Sequence, residues 1–457
     1  RNKYILLSII LLMAVVFLIV FISGKRNRER IENIAYVDQL IGERSLYKFN
    51  IDAAKILKNK NRNNYALIKF DIEQFKYIND MFSYEDGDTV LKYLADLLRA
   101  NLRPGEFFSR SGDCFAVLVE YSTDDEIVQR IQAFHDNASF YINRNGNIYR
   151  LIYSCGIFRI TSDSPELNKI IDRVDIVRKS IKGGYESRFA FYTDDTRRKM
   201  LAEKNIETKM HGALKSSQFV LYLQPKYVLD NLTMIGAEAL VRWIDPEIGV
   251  IAPDNFVPLF EKNGFIVKLD LYVFELVCGK LREWLDRGIT PVPIAVNVSR
   301  LHFYNPNFIN EYLEVLTAYD VPPYLIEIEV TESAVCEKLD MMIEILRKLK
   351  NNGFRLSLDD FGTGYSSLNA LIELPVDELK LDKEFIRLLS RSEKSRMVMS
   401  SIIDMAHKLN MSVVSEGVET EEQCLFLKSV GCNMAQGYLF SRPMPVSEFE
   451  EQVFNYS

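Results

Sequence analysis

Over its second half the chain repeats one pattern. Short apolar runs of strand length recur at residues 293–296, 325–328, 354–358, 378–380 and 411–414, and a helical periodicity follows each. A polar residue closes or follows nearly every run: Asn297, Glu329, Asp359 with Asp360, Lys380 and Glu416. Glu238, in Glu238-Ala239-Leu240, opens this series and Gln436 ends it. Strand, polar residue and helix in alternation predict a TIM-like (β/α)8 barrel with its chemistry on the C-terminal rim. The barrel is expected over residues 219–454, within a domain of 216–457. Anionic oxygens gathered on one rim require neutralisation, most simply by hard divalent cations.

The first half is patterned differently. Strand-like runs at 65–70, 114–121, 148–160 and 189–192 alternate with helical patterns at 88–102 and 125–137. Such a mixture predicts an α+β sheet domain over residues 26–195. From 195 to 214 the chain is charged and periodic, with Met200, Ile206, Met210 and Leu214 on one side, which predicts a linker helix at 196–215.

Residues 4–23 carry no charge and are dense in Leu, Ile, Val and Phe. About 20 such residues span a bilayer core, so a transmembrane helix is expected within residues 1–25. Lys25, Arg26, Arg28 and Arg30 follow the run, against Arg1 and Lys3 before it. That bias places the bulk of the chain on the cytoplasmic side of the cell membrane. A short charged helix is expected at 26–34. The chain does not begin with methionine, so it reads as a piece of a longer protein with a sensor domain outside it.

With 457 residues, 48% of them hydrophobic, there is enough chain for two domains and an extra segment. The net charge of −7 offers no basic excess for gripping a nucleic-acid duplex. The six cysteines form no Cys-x-x-Cys pair and the four histidines lack metal-ligand spacing. A disulfide framework and a zinc site are both excluded on that ground.

The barrel half carries eight motifs in order: Gln224-Pro225, Glu238-Ala-Leu-Val-Arg-Trp243, Asn297-Val-Ser299, Glu329-Val-Thr-Glu-Ser333, Asp359-Asp-Phe-Gly-Thr-Gly-Tyr-Ser-Ser-Leu368, Lys380-Leu-Asp382, Glu416-Gly-Val-Glu419 and Gln436-Gly437. In these it resembles the EAL-type cyclic di-GMP phosphodiesterases. The resemblance implies hydrolysis of cyclic di-GMP to linear pGpG with two Mg²⁺ or Mn²⁺ ions, which can activate water and neutralise the phosphate. Glu238, Asn297, Glu329 and Asp359 then supply oxygen ligands to one ion, and Asp360 reaches a second with Asp359 bridging. Lys380 holds water or a phosphate oxygen, and Glu416 is the general base or a ligand of the second ion. Gln224, Gln436, Arg242, Asp382 and Glu419 face the substrate. In the family the glycine-rich loop after Asp360 couples the site to dimer contacts, and Glu332 anchors it; a homodimer is therefore expected. Leu223 and Ser415 depart from the family's usual residues without removing a ligand.

The first half resembles the GGDEF diguanylate cyclases through Asp38-Gln-Leu-Ile-Gly42, the segment from Phe70 to Asp80, and Gly87-Asp88. Its signature loop reads Ser111-Gly-Asp-Cys-Phe115, so a thiol, Cys114, stands where Mg²⁺ needs a carboxylate. Cyclase activity is not expected. Asp71, Asn79 and Asp88 remain where the family holds a metal and the guanine base. Two readings follow: the domain binds GTP without turnover and tunes the barrel, or these residues persist as caps and core contacts. Arg103-Pro-Gly-Glu106 is similar to the family's product-inhibition motif but lies one residue too near the signature loop. For the whole chain, the alternative to an enzyme is a silent cyclic di-GMP receptor that signals to a partner protein.

Overall fold

A computed structural model describes residues 13, 17–18, 21–23, 25, 34–58, 64–81, 83–142, 148–183, 188–337, 339–362, 368–388 and 393–454. Most of the expected membrane span at 4–23 and nearly all of the charged helix at 26–34 lie outside them. Among the described residues no helix is long and apolar enough to cross a membrane. The chain divides into two units, Arg1–Ala202 and Glu203–Ser457.

The first unit is built on strands β1 (Tyr65–Ile72), β2 (Phe107–Ser111), β3 (Cys114–Glu120), β4 (Tyr153–Ile160) and β5 (Arg188–Phe191). They lie in the order β2-β3-β1-β4-β5, with the short strand Arg44–Ser45 outside β2. Helices α1 (Leu46–Leu57), α2 (Tyr84–Asn101), α3 (Asp124–Ala138) and α4 (Leu167–Ser180) cover both faces. The central strand β1 shows why. Ala66, Ile68 and Phe70 join one apolar cluster with Val90, Leu94 and Ile127 of α2 and α3. Leu67, pointing the other way, joins Phe49, Ile170 and Val174 of α1 and α4. Helix α2 begins four residues earlier than the periodicity implied, because the Ser83 side chain caps it by accepting the Asp86 N–H.

The run at 148–160 is not one strand, contrary to the sequence reading. Ile148–Arg150 pairs with Phe140–Ile142 in a separate ribbon, and only Tyr153–Ile160 enters the main sheet. The Leu151 N–H bonds to the Ser139 carbonyl at 2.7 Å, which adds one more rung to the ribbon before the chain enters the main sheet. Strand β2 was also missed, because five residues give too little alternation to read.

The linker helix α5 (Asp194–Lys215) forms as expected, burying Ile206 and Ala213. The barrel follows: β6 (Phe219–Val228), β7 (Met234–Asp245), β8 (Ile294–Asn297), β9 (Ile326–Thr331), β10 (Arg355–Phe361), β11 (Glu378–Leu381), β12 (Ser412–Ser415) and β13 (Met434–Ala435). From β7 to β13 every neighbouring pair is parallel. The (β/α)8 expectation needs one correction: β6 runs antiparallel to both β7 and β13, which it joins to close the barrel. Its link to β7 is a tight turn, in which the Val228 N–H bonds to the Thr233 carbonyl; a parallel pair would need a helical crossover. Outward residues of the strands, such as Ile326, Ile328 and Leu356, pack with Leu316, Leu346, Leu349 and Ile403 of the surrounding helices in one core.

Candidate active site

Strand residues point alternately into and out of a barrel. Here the inward positions at the rim where the parallel strands β8 to β11 end are polar: Gln224 on the antiparallel β6, Glu238 on β7, Asn297 on β8, Glu329 on β9, Asp359 on β10 and Lys380 on β11. Glu416 follows β12 and Gln436 follows β13. The Lys380 ammonium, fully buried, is the centre of this group. It lies 2.7 Å from Glu416 Oε1, 2.9 Å from Glu329 Oε2, 3.3 Å from Asp359 Oδ1 and 3.6 Å from Glu238 Oε2. None of the four contacts is directed as a hydrogen bond. Glu238 is held further by the Asn297 side-chain amide at 3.1 Å and by that of Gln436 at 2.7 Å. Gln436 also donates to Gln224 Oε1, whose own amide donates to the Ser441 carbonyl.

Asp359 and Asp360 are adjacent, so in a regular strand they would face opposite ways. The ladder between β10 and β11 is irregular between Leu358 and Phe361, and Asp360 takes a left-handed backbone with φ of 55°. The bulge re-aims the strand end, as bulges beside active sites commonly do. Beyond it, the Gly362 N–H donates to Glu332 Oε2 at 2.7 Å, which places Glu332 as an anchor of the loop's first residues. The rest of that loop, 363–367, lies outside the described residues. On the neighbouring side, Asp270 accepts the Ser299 N–H and faces His302 Nε2 at 3.1 Å, fixing the turn after Asn297.

Crowded, buried carboxylates hold on to protons. Burial, reinforced by neighbouring Asp359 and Glu238, pushes Glu416 up to about 7 against the pull of Lys380. Burial and the charge of Asp359 push Asp360 up to about 6. Burial drives Glu329 well above the usual carboxylate range. Burial also works against the charge of Lys380, but Asp359, Glu238, Glu329 and Glu416 hold it firmly protonated.

Three residues were missed by the sequence reading. Lys226, Glu327 and Glu378 are buried one layer deeper in the barrel, each two positions from a rim residue on its own strand. The signal was present as Gln224-x-Lys226, Glu327-x-Glu329 and Glu378-x-Lys380, charge at period two inside apolar strands. Six carboxylates (Glu238, Glu327, Glu329, Asp359, Glu378 and Glu416) thus meet two ammonium groups.

Among the described residues no three carboxyl, imidazole or thiol groups form a ready metal cage, since Lys380 fills the middle. The donor set nonetheless fits hard divalent cations. Its oxygens outnumber the charges that balance them, and the Gln436 Oε1 atom is buried with no hydrogen-bond partner.

Of the other expected substrate residues, Arg242 and Glu419 are not drawn into the cluster, while the buried Asp382 is near enough for its charge to help raise Asp360. Arg242 lies over the Tyr222 ring at 5.4 Å, and its Nη1 bonds to the Val241 carbonyl. Asp382 accepts the Glu384 N–H at 2.8 Å, as a cap of the following helix Lys383–Leu388. Glu419 is exposed, ahead of the Thr420 capping box.

In the first unit, Asp71 lies opposite Cys114 across β1 and β3. Its carboxylate takes the Arg178 guanidinium and the Lys182 ammonium, the latter at 2.7 Å. Asn79 sits over Gly87, whose missing Cβ leaves the room, and Asp88 is exposed on α2. Burial pushes the Cys114 thiol up. Arg103 and Glu106 each have other ionic partners, Glu126 and Arg130.

Comparison with known proteins agrees with this geometry. The profile of the EAL domain matches residues 208–443, and that of the diguanylate cyclase GGDEF domain matches residues 37–186. The bifunctional diguanylate cyclase/cyclic di-GMP phosphodiesterase MucR of Pseudomonas aeruginosa is 33% identical over 435 residues, 93% of this chain and 62% of that protein. The cyclic di-GMP phosphodiesterase NbdA of the same organism is 32% identical over 424 residues, 92% of this chain and 54% of that one. The chain therefore spans between half and two thirds of their lengths. A solved structure described as the PaMucR phosphodiesterase in complex with c-di-GMP is 41% identical. It covers 54% of this chain and 99% of its own, with a TM-score of 0.52.

Proposed function

The chain belongs to the EAL domain family, with a GGDEF domain ahead of its barrel, and on that premise we propose that it hydrolyses cyclic di-GMP to linear pGpG. The observation that carries this reading is the convergence of Glu238, Glu329, Asp359 and Glu416 on Lys380 at one barrel rim. Water adds across one P–O3′ bond, leaving a 3′-hydroxyl and a 5′-phosphate. Glu238, Asn297, Glu329 and Asp359 would hold one divalent cation; Asp359, Asp360 and Glu416 would hold a second. When bound, the cations neutralise the phosphate charge and acidify the attacking water.

The chain's own residues do the rest. Glu416, at the rim 2.7 Å from Lys380, is suited to take the water's proton. Lys380 presents a fixed positive charge to a phosphoryl oxygen. Gln436 and Gln224, bonded to each other and to Glu238, hold that wall of the site in register.

The first unit makes no cyclic di-GMP in this reading, since Cys114 replaces a carboxylate ligand. It acts as a modulator of the barrel, and any GTP binding at Asp71 has to displace Arg178 and Lys182. Membrane anchoring through residues 4–23, cytoplasmic placement of both units and pairing of the barrels complete the proposal. The test is pGpG release by the chain with Mg²⁺ or Mn²⁺, beside Glu238→Ala. Metal-dependent release abolished by the substitution supports the enzyme; tight binding with no turnover would instead make it a receptor.

A further inference from the structure

Beneath the rim lies a second charged layer that no substrate can touch. Lys226 on β6 is 3% exposed, Glu327 on β9 is 4% and Glu378 on β11 is 2%. The Lys226 ammonium is 2.8 Å from Glu327 Oε1, 2.9 Å from Glu378 Oε1 and 3.3 Å from Glu329 Oε1. The other oxygen of Glu329 faces Lys380 at 2.9 Å. Glu329 is therefore clamped between two ammonium groups, one from each layer.

A buried ion cluster of this kind is costly to build, and an apolar filling of the same volume is often as stable or more so. Its position suggests what it does instead. Strand β6 pairs with β7, with β13 and with the short strand Met444–Pro445. Two strands lie between β6 and β9 on one side, and two between β6 and β11 on the other. The contacts of Lys226 thus cross the lumen, joining the antiparallel closing strand to the two strands that carry Glu329 and Lys380. Backbone pairing around the wall cannot fix these three strands against one another directly; Lys226 does.

We propose that Lys226, with Glu327 and Glu378, is a positioning layer that fixes Glu329 and Lys380 for the reaction. This rests on the phosphodiesterase reading of the rim. Groups that orient metal ligands from behind typically matter by about 10–100-fold in metal affinity or activity.

The test compares the parent with Lys226→Met, Glu378→Gln and the double variant, by cyclic di-GMP turnover and by calorimetric titration of substrate-free protein with Mn²⁺. For Lys226→Met, kcat should fall by about 10–100-fold and Mn²⁺ binding should weaken, with KM unchanged because the substrate meets only the rim. Glu378→Gln should move both in the same direction by less. The double variant should lose no more than Lys226→Met alone, since the charge Glu378 would leave unpaired is gone. Parent-like kcat and Mn²⁺ affinity in folded Lys226→Met would overturn the proposal, as would a loss confined to KM. If Lys226→Met does not fold, Glu378→Gln decides: an unchanged Mn²⁺ titration rejects the layer. A parent that does not hydrolyse cyclic di-GMP counts against the function of the rim, while the Mn²⁺ titrations still test Lys226.

Discussion

Gly362→Ala is the substitution for which the structure gives the clearest magnitude. Gly362 has φ of 94°, and a Cβ built on it would fall 1.8 Å from Phe385 Cε2 and 2.2 Å from Cζ. Two costs follow. A non-glycine residue in the left-handed region costs about 1–3 kcal/mol. Forcing a methyl into the Phe385 ring adds about 1–3 kcal/mol of overpacking. The expected loss is about 2–6 kcal/mol, shared between strain and local displacement. The displacement falls next to Asp359 and Asp360 and on the Gly362 N–H that Glu332 accepts. Misplacing reacting groups by about 1 Å can cost about 100-fold in rate, so turnover should fall on that order. Urea unfolding followed by tryptophan fluorescence reports the barrel alone, because both tryptophans, Trp243 and Trp284, lie in it. Adding Phe385→Leu should return the overpacking part and leave the backbone part, a coupling of about 1 kcal/mol or more. A Gly362→Ala protein with the parent's unfolding midpoint and turnover would refute the reasoning; so would strict additivity with Phe385→Leu.

Lys380→Met strips three buried carboxylates and the half-buried Glu416 of their shared cation. Turnover should fall by about 10²–10³-fold. Metal-free stability should fall by about 3–5 kcal/mol, partly restored by Mn²⁺; unfolding curves with and without the ion check this. The rim should also respond to pH. Glu416 at about 7 and Asp360 at about 6 take up protons as pH falls from 8 to 6, and a cation must displace them. Mn²⁺ binding should therefore weaken over that range and release protons; a flat calorimetric profile would count against it. Because both groups are raised in the fold, the metal-free protein gains stability from them below the ordinary carboxylate range and loses it as pH rises through 6 to 7. In the first unit, Asp71→Ala removes the buried carboxylate shared by Arg178 and Lys182, leaving Arg178 only Asp175 at 3.2 Å, and should cost that unit about 1–3 kcal/mol, read by hydrogen exchange of the β1 amides.

Most rim residues were legible because the barrel makes them so. A residue just past an apolar run sits at a strand's C-terminal end, and five such runs together with eight motifs in family order left little freedom for Glu238, Asn297, Glu329, Asp359, Lys380, Glu416 and Gln436. Strand and helix boundaries were less legible where local bonds decide them. Ser83 extends α2, and the pairing of Ile148–Arg150 with Phe140–Ile142 splits the run at 148–160. Neither leaves a mark in hydrophobic periodicity.

What the sequence determined by itself is the alternation of apolar strands and helices, the type of donor at each strand end, and a thiol rather than a carboxyl group at Cys114. These are properties of single positions and their near neighbours. The tertiary structure decided which of them meet. It turned β6 antiparallel and so carried Lys226 across the lumen to Glu327, Glu329 and Glu378, more than a hundred residues away. It set Arg178 and Lys182 on Asp71, and it left Arg242 and Glu419 outside the cluster around Lys380. Side-chain charge is written in the chain, but its neutralisation depends on distances of 3–4 Å that only barrel closure sets.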